Sequence, residues 1–347
     1  MIGALLFCMA SADTLILNVA ALLPTYVATH YSHVSSLSVG LLMACYPLAF
    51  LFTAPFIGSH MEWIGRKNCV VYGMLILSIA TLTFGLASLA NTVNSFFIIS
   101  ALARILQGMA DAAVSVAIPG IISMVYPEKQ EKYLGYYNMS IGVGTCAGPV
   151  LGSLIFMFCG YGMTFVCFAG LIFTSFVVAV VKIPTKINCA NGGLELTEHN
   201  NEQDKISYFK FLTNKNAFLL VLTTIIAMIS EYYMDPIIGV QFVSMGISED
   251  TVGYAFAVSG GAFGIGALIA GKLCSVINRK YVILVGLTSM SLSLLLIGPS
   301  KMLHIPNYVS IMYVGMFLNG FFSAFMFVPI IPELIASIEM EQNTEGD

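Results

Sequence analysis

Six ionisable residues lie within long apolar stretches of this 347-residue chain. They are Asp13, Arg104, Asp111, Glu231, Asp235 and Glu333. A charge at the centre of a membrane helix costs about 2.5–3.5 kcal/mol on insertion scales, so we expect these side chains to face an interior cavity, to pair or to bind protons. Because five of the six are acids, such a cavity favours protons or an organic cation over an anion.

The spacing of these residues predicts two polar helix faces. Arg104, Gln107 and Asp111 follow one another at intervals of three and four residues, which places them on one stripe of a helix. Glu231 and Asp235 are four residues apart, so we expect them to share a helix face, where mutual repulsion would keep one of them protonated. A structural interpretation stays open for each: packing, pairing with Arg104, or hydration near the membrane surface.

The composition indicates that these residues belong to a membrane protein. Hydrophobic types make up 58% of the chain and charged types 9%, with a net charge of −4, whereas soluble domains are about 25% charged. These values exclude a disordered chain, a soluble globule and an electrostatic nucleic-acid binder. The eight cysteines lack metal-binding spacing, and no nucleotide loop or nucleophile constellation is present. We therefore expect neither an enzyme, nor a metal site, nor a cofactor.

The apolar stretches predict an all-α integral membrane protein with ten spans of about 20 residues each. Spans 1 to 10 cover residues 3–28, 38–58, 69–90, 95–124, 134–158, 162–182, 216–242, 250–271, 281–299 and 308–336. Most Lys and Arg residues fall in connections on one side, so the positive-inside rule places both termini in the cytoplasm. The polar stretch 183–215 predicts a cytoplasmic linker between a six-helix bundle, 1–182, and a four-helix bundle, 216–347.

The two predicted bundles show an internal repeat. GSHMEWIGRK, which begins at Gly58, and GKLCSVINRK, which begins at Gly271, share their glycine, arginine and lysine positions. The same offset places Pro119 of span 4 on Pro332 of span 10. Parallel repeats of six-helix halves occur in one class of secondary transporter, which binds its substrate between the halves near the membrane midplane.

Three motifs resemble those of the major facilitator superfamily. GSHMEWIGRK is similar to the superfamily signature between helices 2 and 3, and RILQGMADAA, from Arg104, is similar to its helix 4 motif R-x-x-Q-G. Span 5 resembles the helix 5 motif of proton-coupled antiporters through Gly144, Gly148, Pro149 and Gly152. Within the superfamily, ADTLILNVAALLP, MDP and PIIPE in spans 1, 7 and 10 resemble the vesicular amine and polyamine transporters, the solute carrier 18 branch.

The resemblance implies a transporter of two pseudo-repeated bundles that lacks its last two helices. In that fold, spans 1, 4, 7 and 10 line the central cavity, and these spans carry all six buried charges. The resemblance implies that Asp13 and Asp235 face an amine and that Arg104 acts in a gate or proton path. It does not extend to Asp111, Glu231 or Glu333.

Two further sets of residues resemble gating motifs. The first set is Gly58, Glu62, Gly65, Arg66 and Lys67, in which we expect Glu62 to pair with the two cations and hold an inner gate closed. The second set is the glycine and proline motif of span 5, which lets helices approach closely. In the family its neighbours include helix 11. Topology determination for the first set and packing alone for the second are the alternative interpretations.

We predict a monomeric, proton-coupled antiporter that moves a small organic cation of the amine or polyamine class by alternating access. The proton gradient is its coupling force, and its location is a vesicular, endomembrane or plasma membrane. Two alternatives stay open. One is a non-transporting subunit, scaffold or truncated product. The other is a transporter of a neutral solute such as a sugar, which Asn18, Gln107 and Asn319 would hydrogen-bond.

Overall fold

A computed structural model of the chain describes residues 1–31, 34–188, 215–248, 252–274, 276–298 and 308–345. Within these ranges the regular structure is helical and no strand occurs. The helices are α1 (Ile2–His30), α2 (Ser36–Ile64), α3 (Arg66–Leu86), α4 (Val93–Val125), the run Gln130–Lys182 that contains α5 (130–159) and α6 (161–182), α7 (Lys215–Tyr232), α8 (Asp235–Ser244), α9 (Val252–Cys274), α10 (Arg279–Ile297) and α11 (Val309–Glu345). Short 3-10 helices cover Ala87–Leu89, Pro127–Lys129 and Thr185–Asn188.

The described helices confirm the predicted membrane-spanning fold class. Nine helical segments within the described residues are long and apolar enough to cross a bilayer, with α7 and α8 counted together as one and α5 and α6 as another. The longest, Lys132–Lys182, has 51 residues, which is more than twice the ~20 residues that one crossing needs. Gly160 interrupts it at φ 76°, a left-handed conformation that favours glycine. The run is therefore two helices, α5 and α6, which correspond to predicted spans 5 and 6.

Predicted span 7 is two helices rather than one. α7 ends at Tyr232 and α8 begins at Asp235, so the prediction that Glu231 and Asp235 share one helix face is wrong. The sequence contains the reason. Asp is favoured at a helix start, and Pro236, which lacks a backbone N–H, is tolerated in a first turn but not in a helix interior.

The described residues form two compact units. The first comprises those of Met1–Gly192 and Asp235–Gly264, that is α1 to α6, α8 and the first part of α9. Its core is apolar and includes Leu15, Met74, Val114 and Phe168, from four different helices. By contrast, α2 leaves large apolar side chains exposed, such as Phe52 at 75%. Such a surface is stable against hydrocarbon but not against water.

The second unit comprises the described residues of Gly193–Met234 and Ile265–Asp347. It contains α7, the end of α9, α10 and α11, and its core includes Ala227, Ile283, Met290 and Met326. The predicted boundary at 183–215 stays a prediction, because residues 189–214 of that linker lie outside the described residues.

Candidate functional site

The polar stripe of α4 lies inside the first unit, as its spacing predicts. Arg104, Gln107 and Asp111 are 4%, 0% and 5% exposed. Arg104 donates through Nη1 to Gln107 Oε1 at 3.0 Å, and Gln107 Nε2 donates to Thr81 Oγ1 of α3 at 3.1 Å. The guanidinium is therefore fixed by a neutral amide, which α3 holds in turn.

Tyr46 of α2 contacts both charged residues of this stripe. Its hydroxyl donates to Asp111 Oδ2 at 2.5 Å, and its ring centroid lies 4.5 Å from Arg104 Cζ. Ser115 Oγ donates to the other carboxylate oxygen of Asp111 at 3.4 Å. In the described residues Arg104 and Asp111 form no ion pair with each other. Tyr46 therefore contacts each of the two charged groups, while the groups themselves remain unpaired with one another.

Asp13 of α1 is the second acid of this cluster. It is 3% exposed, and its Oδ2 has no hydrogen-bond partner in the described structure. It lies close enough to Asp111 for the two carboxylates to repel each other when both are charged. A proton or a cation bound at Asp13 would remove both the repulsion and the cost of the unpaired charge.

The glycine motif of α5 positions the turn of α1 that carries Asp13. A Cβ atom at Gly144 or Gly148 would collide with a backbone carbonyl oxygen of α1. The close packing that the motif predicts is therefore confirmed, but with α1 as the neighbour in place of helix 11. The facing pairs are Gly144 with Ala10, Gly148 with Thr14, and Gly152 with Asn18. On another side of α5, Gly253 of α9 meets the Pro149 carbonyl.

Unsatisfied buried polar atoms concentrate in the first unit. Those found in the described residues all belong to it: Asp13 Oδ2, both amide atoms of Asn18, Arg66 Nε, Ser100 Oγ, Arg104 Nε, Ser153 Oγ and Tyr161 Oη. Native proteins leave few such atoms unpaired, because each costs about 1–3 kcal/mol. Atoms of Asp13, Asn18 and Arg104, from α1 and α4, are among them.

The second unit contains a separate, partly buried acid. Glu231, near the end of α7, accepts a hydrogen bond from Asn319 Nδ2 of α11 at 3.1 Å. Ser293 Oγ of α10 donates to Asn319 Oδ1 at 3.1 Å, and both Ser293 and Asn319 are buried. This chain of contacts joins three helices around a carboxylate that no described cation neutralises.

The remaining predicted acids lie elsewhere. Glu333 of α11 is 6% exposed and pairs with Lys280 at 3.8 Å between Oε1 and Nζ. Lys280 is the lysine of the second repeat copy, at the start of α10, and its side chain is 59% exposed, which agrees with the interfacial interpretation of Glu333. Asp235 opens α8 in the first unit and is partly buried.

The first gating motif is mostly helical. Gly58 and Glu62 lie within α2, and Gly65, at φ 92°, is the only break before α3. Glu62 is exposed and forms no ion pair with Arg66 or Lys67 among the described residues. The expected charge pairs are therefore absent, because α2 continues to Ile64 and leaves the carboxylate exposed.

The cations of this motif have other partners. Arg66 Nη1 contacts Met124 Sδ of α4, and Lys67 Nζ donates to the Val180 carbonyl oxygen of α6 at 3.1 Å. Asn188 Oδ1 accepts the backbone N–H groups of Lys67 and Asn68 at 2.8 and 3.3 Å. The start of the linker thus caps α3 from outside, in the way that an N-cap side chain does within a helix.

We expect Asn188→Ala to lower the free energy of unfolding by about 1 kcal/mol, because two amide groups at the start of α3 lose their acceptor. Thermal unfolding of the detergent-purified protein measures the effect. Asn94→Ala is the matched control, since Asn94 is exposed in the first turn of α4. Equal unfolding temperatures for the two variants would contradict the capping role.

Tyr46, Thr81, Ser115 and Asn188 take part in these contacts, and the sequence reasoning did not include them. Tyr46 is a polar side chain within an apolar span, which is a weak signal, since tyrosine is common at such positions. Ser115 is four residues after Asp111 and continues the polar stripe of α4, so its spacing is a signal for it. Nothing in the spacing of Thr81 or Asn188 distinguishes them from ordinary buried or turn residues.

The chain is similar to known proteins in both sequence and fold. The sequence model of the Major Facilitator Superfamily matches residues 4–229 and 220–337. The chain is 25% identical over 310 residues to the MFS-type transporter SLC18B1 of Rattus norvegicus, covering 87% of this chain and 64% of that protein. It is 31% identical over 139 residues to the synaptic vesicular amine transporter of Homo sapiens, covering 40% of this chain and 26% of that protein.

A solved structure shows the same fold. The partially occluded inward-open conformation of the xylose transporter XylE from E. coli matches with a TM-score of 0.68 at 12% identity, covering 97% of this chain and 87% of that chain. At this identity the match concerns the fold alone. The chain spans less than two thirds of the length of the rat relative.

Proposed function

This chain belongs to the Major Facilitator Superfamily, and from that premise we propose that it exchanges a small organic cation for protons across a membrane. It is a multi-pass integral membrane protein. Membership of a transporter family also implies a small-molecule substrate.

The observation that carries the proposal is the carboxylate of Asp13. It is buried, one of its oxygens has no partner, and it interacts electrostatically with a second acid, Asp111. A buried carboxylate in this state is costly unless a proton neutralises it or a cation pairs with it. The same atom can therefore bind either species, but not both at once.

This competition supplies the coupling between proton and substrate. When a cation binds, the proton must leave, and when the proton returns, the cation loses its counter-charge. Alternating access then turns the competition into exchange, because each species leaves on one side of the membrane. Glu231 is proposed as a second proton-binding acid, since Asn319 holds it without a neutralising charge.

The amine class is supported by charge and by similarity. The first unit places two buried acids against one buried arginine, so a protonated amine is preferred to an anion. The chain also resembles a protein named as a vesicular amine transporter over 139 residues. We propose amines or polyamines as the substrate class on these two grounds.

Uptake into proteoliposomes tests the proposal. We expect a labelled monoamine, tyramine, or a labelled polyamine, spermidine, to accumulate when the interior is acidic, and a protonophore to abolish the accumulation. Accumulation that is the same with and without the pH gradient would contradict proton exchange.

A neutral solute is the second candidate. Asn18 is fully buried, and both of its amide atoms lack partners; these are groups that a sugar hydroxyl satisfies. D-xylose in the same assay separates the two candidates, since preferential xylose uptake would favour the sugar. Absence of uptake for all three probes would favour a non-transporting role.

A further inference from the structure

Two opposite charges lie on one face of α4 without meeting. Arg104 and Asp111 are separated by about two helical turns and are both buried. A buried arginine usually pairs with an acid, because an unpaired charge is costly. Here Arg104 instead binds the neutral Gln107 and lies over the ring of Tyr46, whose hydroxyl binds Asp111.

We propose that Tyr46 is a positioning residue that keeps Arg104 and Asp111 as separate charges, so that Asp111 serves with Asp13 as a second acid of the cation site. The proposal deepens the proposed function and rests on it. It assigns a role to Tyr46 and a distinct role to Asp111, which would otherwise only neutralise Arg104.

The geometry gives Tyr46 two separable functions. Its hydroxyl donates to Asp111 at 2.5 Å, a length typical of a hydroxyl bound to a charged carboxylate. Its ring lies 4.5 Å from Arg104 Cζ and stabilises the guanidinium through its π face. Removing only the hydroxyl should therefore change Asp111 and leave the support of Arg104 intact.

The titratable groups around this pair come from several helices. α1 contributes Asp13, α2 contributes Tyr46 and Cys45, α5 contributes Tyr137, and α6 contributes Tyr161 on the side of Arg104. Of these, Tyr46 is the one that hydrogen-bonds Asp111, while Tyr137 donates to the Ser115 carbonyl oxygen. Removing the hydroxyl of Tyr46 should therefore change the protonation of Asp111 without changing the other tyrosines around it.

Tyr46→Phe tests the proposal. The variant keeps the ring and loses the donor that stabilises the charged carboxylate, so protons should compete with a cation at higher pH. We expect the pH of half-maximal binding of 1-methyl-4-phenylpyridinium, a permanent cation, to rise by about one unit. Tyr72→Phe, an exposed tyrosine of α3, is the matched control and should leave the profile unchanged.

A double variant separates this role from a structural one. In Asp111→Asn the acid is absent, so adding Tyr46→Phe should shift the pH profile no further. A shift that persists in the Asp111→Asn background would contradict the proposal. An unchanged profile in a stably folded Tyr46→Phe protein would also contradict it.

The same four proteins, with wild type, are compared without any ligand. The pH dependence of the unfolding temperature in detergent reflects every group whose protonation differs between the folded and unfolded protein, so a difference between Tyr46→Phe and wild type reports the acid that Tyr46 contacts. Here too we expect the midpoint of the profile to move up by about one unit in Tyr46→Phe alone. If the wild type binds no cation, the proposed function fails, yet this profile still decides the role of Tyr46.

Discussion

Asp13→Asn should reduce proton-driven amine uptake at least tenfold, a difference of about 1.4 kcal/mol. Asparagine has nearly the same shape as aspartate but cannot carry a charge or bind the exchanged proton. Because Asp13 Oδ2 accepts no hydrogen bond in the described residues, the substitution deprives no neighbouring donor of its acceptor at that atom and should not unfold the protein. Residual uptake in the variant should no longer respond to the pH gradient.

The control for this variant is Glu128→Gln, which removes one negative charge from an exposed 3-10 helix. Its uptake should match that of the wild type. The measurement is the initial rate of tyramine or spermidine uptake in proteoliposomes that contain equal amounts of folded protein. Gradient-dependent uptake at the wild-type rate in Asp13→Asn would remove Asp13 from the coupling mechanism.

Gly148→Ala should destabilise the protein and abolish transport, although it adds only one methyl group. That methyl collides with the carbonyl group of Thr14, one residue after Asp13 in α1. Overpacking of this kind costs about 1–3 kcal/mol or more, because backbone cannot move aside as a flexible side chain does. The displaced turn would also move Asp13 within the site.

Gly135→Ala is the matched control on the same helix. A Cβ atom at Gly135 would meet nothing within 4 Å, and alanine favours a helix over glycine by up to about 1 kcal/mol. The control should therefore be as stable as the wild type or more so. Equal unfolding temperatures for the two alanine variants would show that α1 and α5 do not pack closely at Gly148.

Periodicity made part of the site predictable. Arg104, Gln107 and Asp111 share a stripe because the helix repeat is 3.6 residues, and that relation requires no knowledge of the neighbouring helices. Gly144 and Gly148 likewise predict close packing, since small residues four apart form one helix edge. Which helix fills that edge depends on the tertiary arrangement, and here it is α1.

Other parts of the site depend on contacts between distant residues. Tyr46 and Asp111 are 65 positions apart, and nothing in their local sequence records that they meet. The Glu62 prediction failed for a related reason: it assumed a loop where α2 continues to Ile64. The break after Glu231 has a local signal, because Asp235-Pro236 is typical of a helix start. The prediction missed it because span 7 was defined by its continuous apolar pattern alone.

The two units differ in the partners that they provide for ionisable side chains. In the first, Asp13, Asp111 and Arg104 lie within one cluster and leave polar atoms unsatisfied. In the second, Glu231 is held by an amide, and Glu333 is neutralised by Lys280. We therefore propose the cation site in the first unit and a separate proton-binding acid, Glu231, in the second.

Exchange at a shared acid requires that the protein release protons when it binds a cation. Calorimetric titration of the purified protein with 1-methyl-4-phenylpyridinium, in buffers of different ionisation enthalpy, counts the protons released per cation bound. We expect release of protons by the wild type at a pH where the site is partly protonated, and much weaker binding without release by Asp13→Asn. Tight binding with no proton release by the wild type across the pH range would contradict exchange at a shared acid.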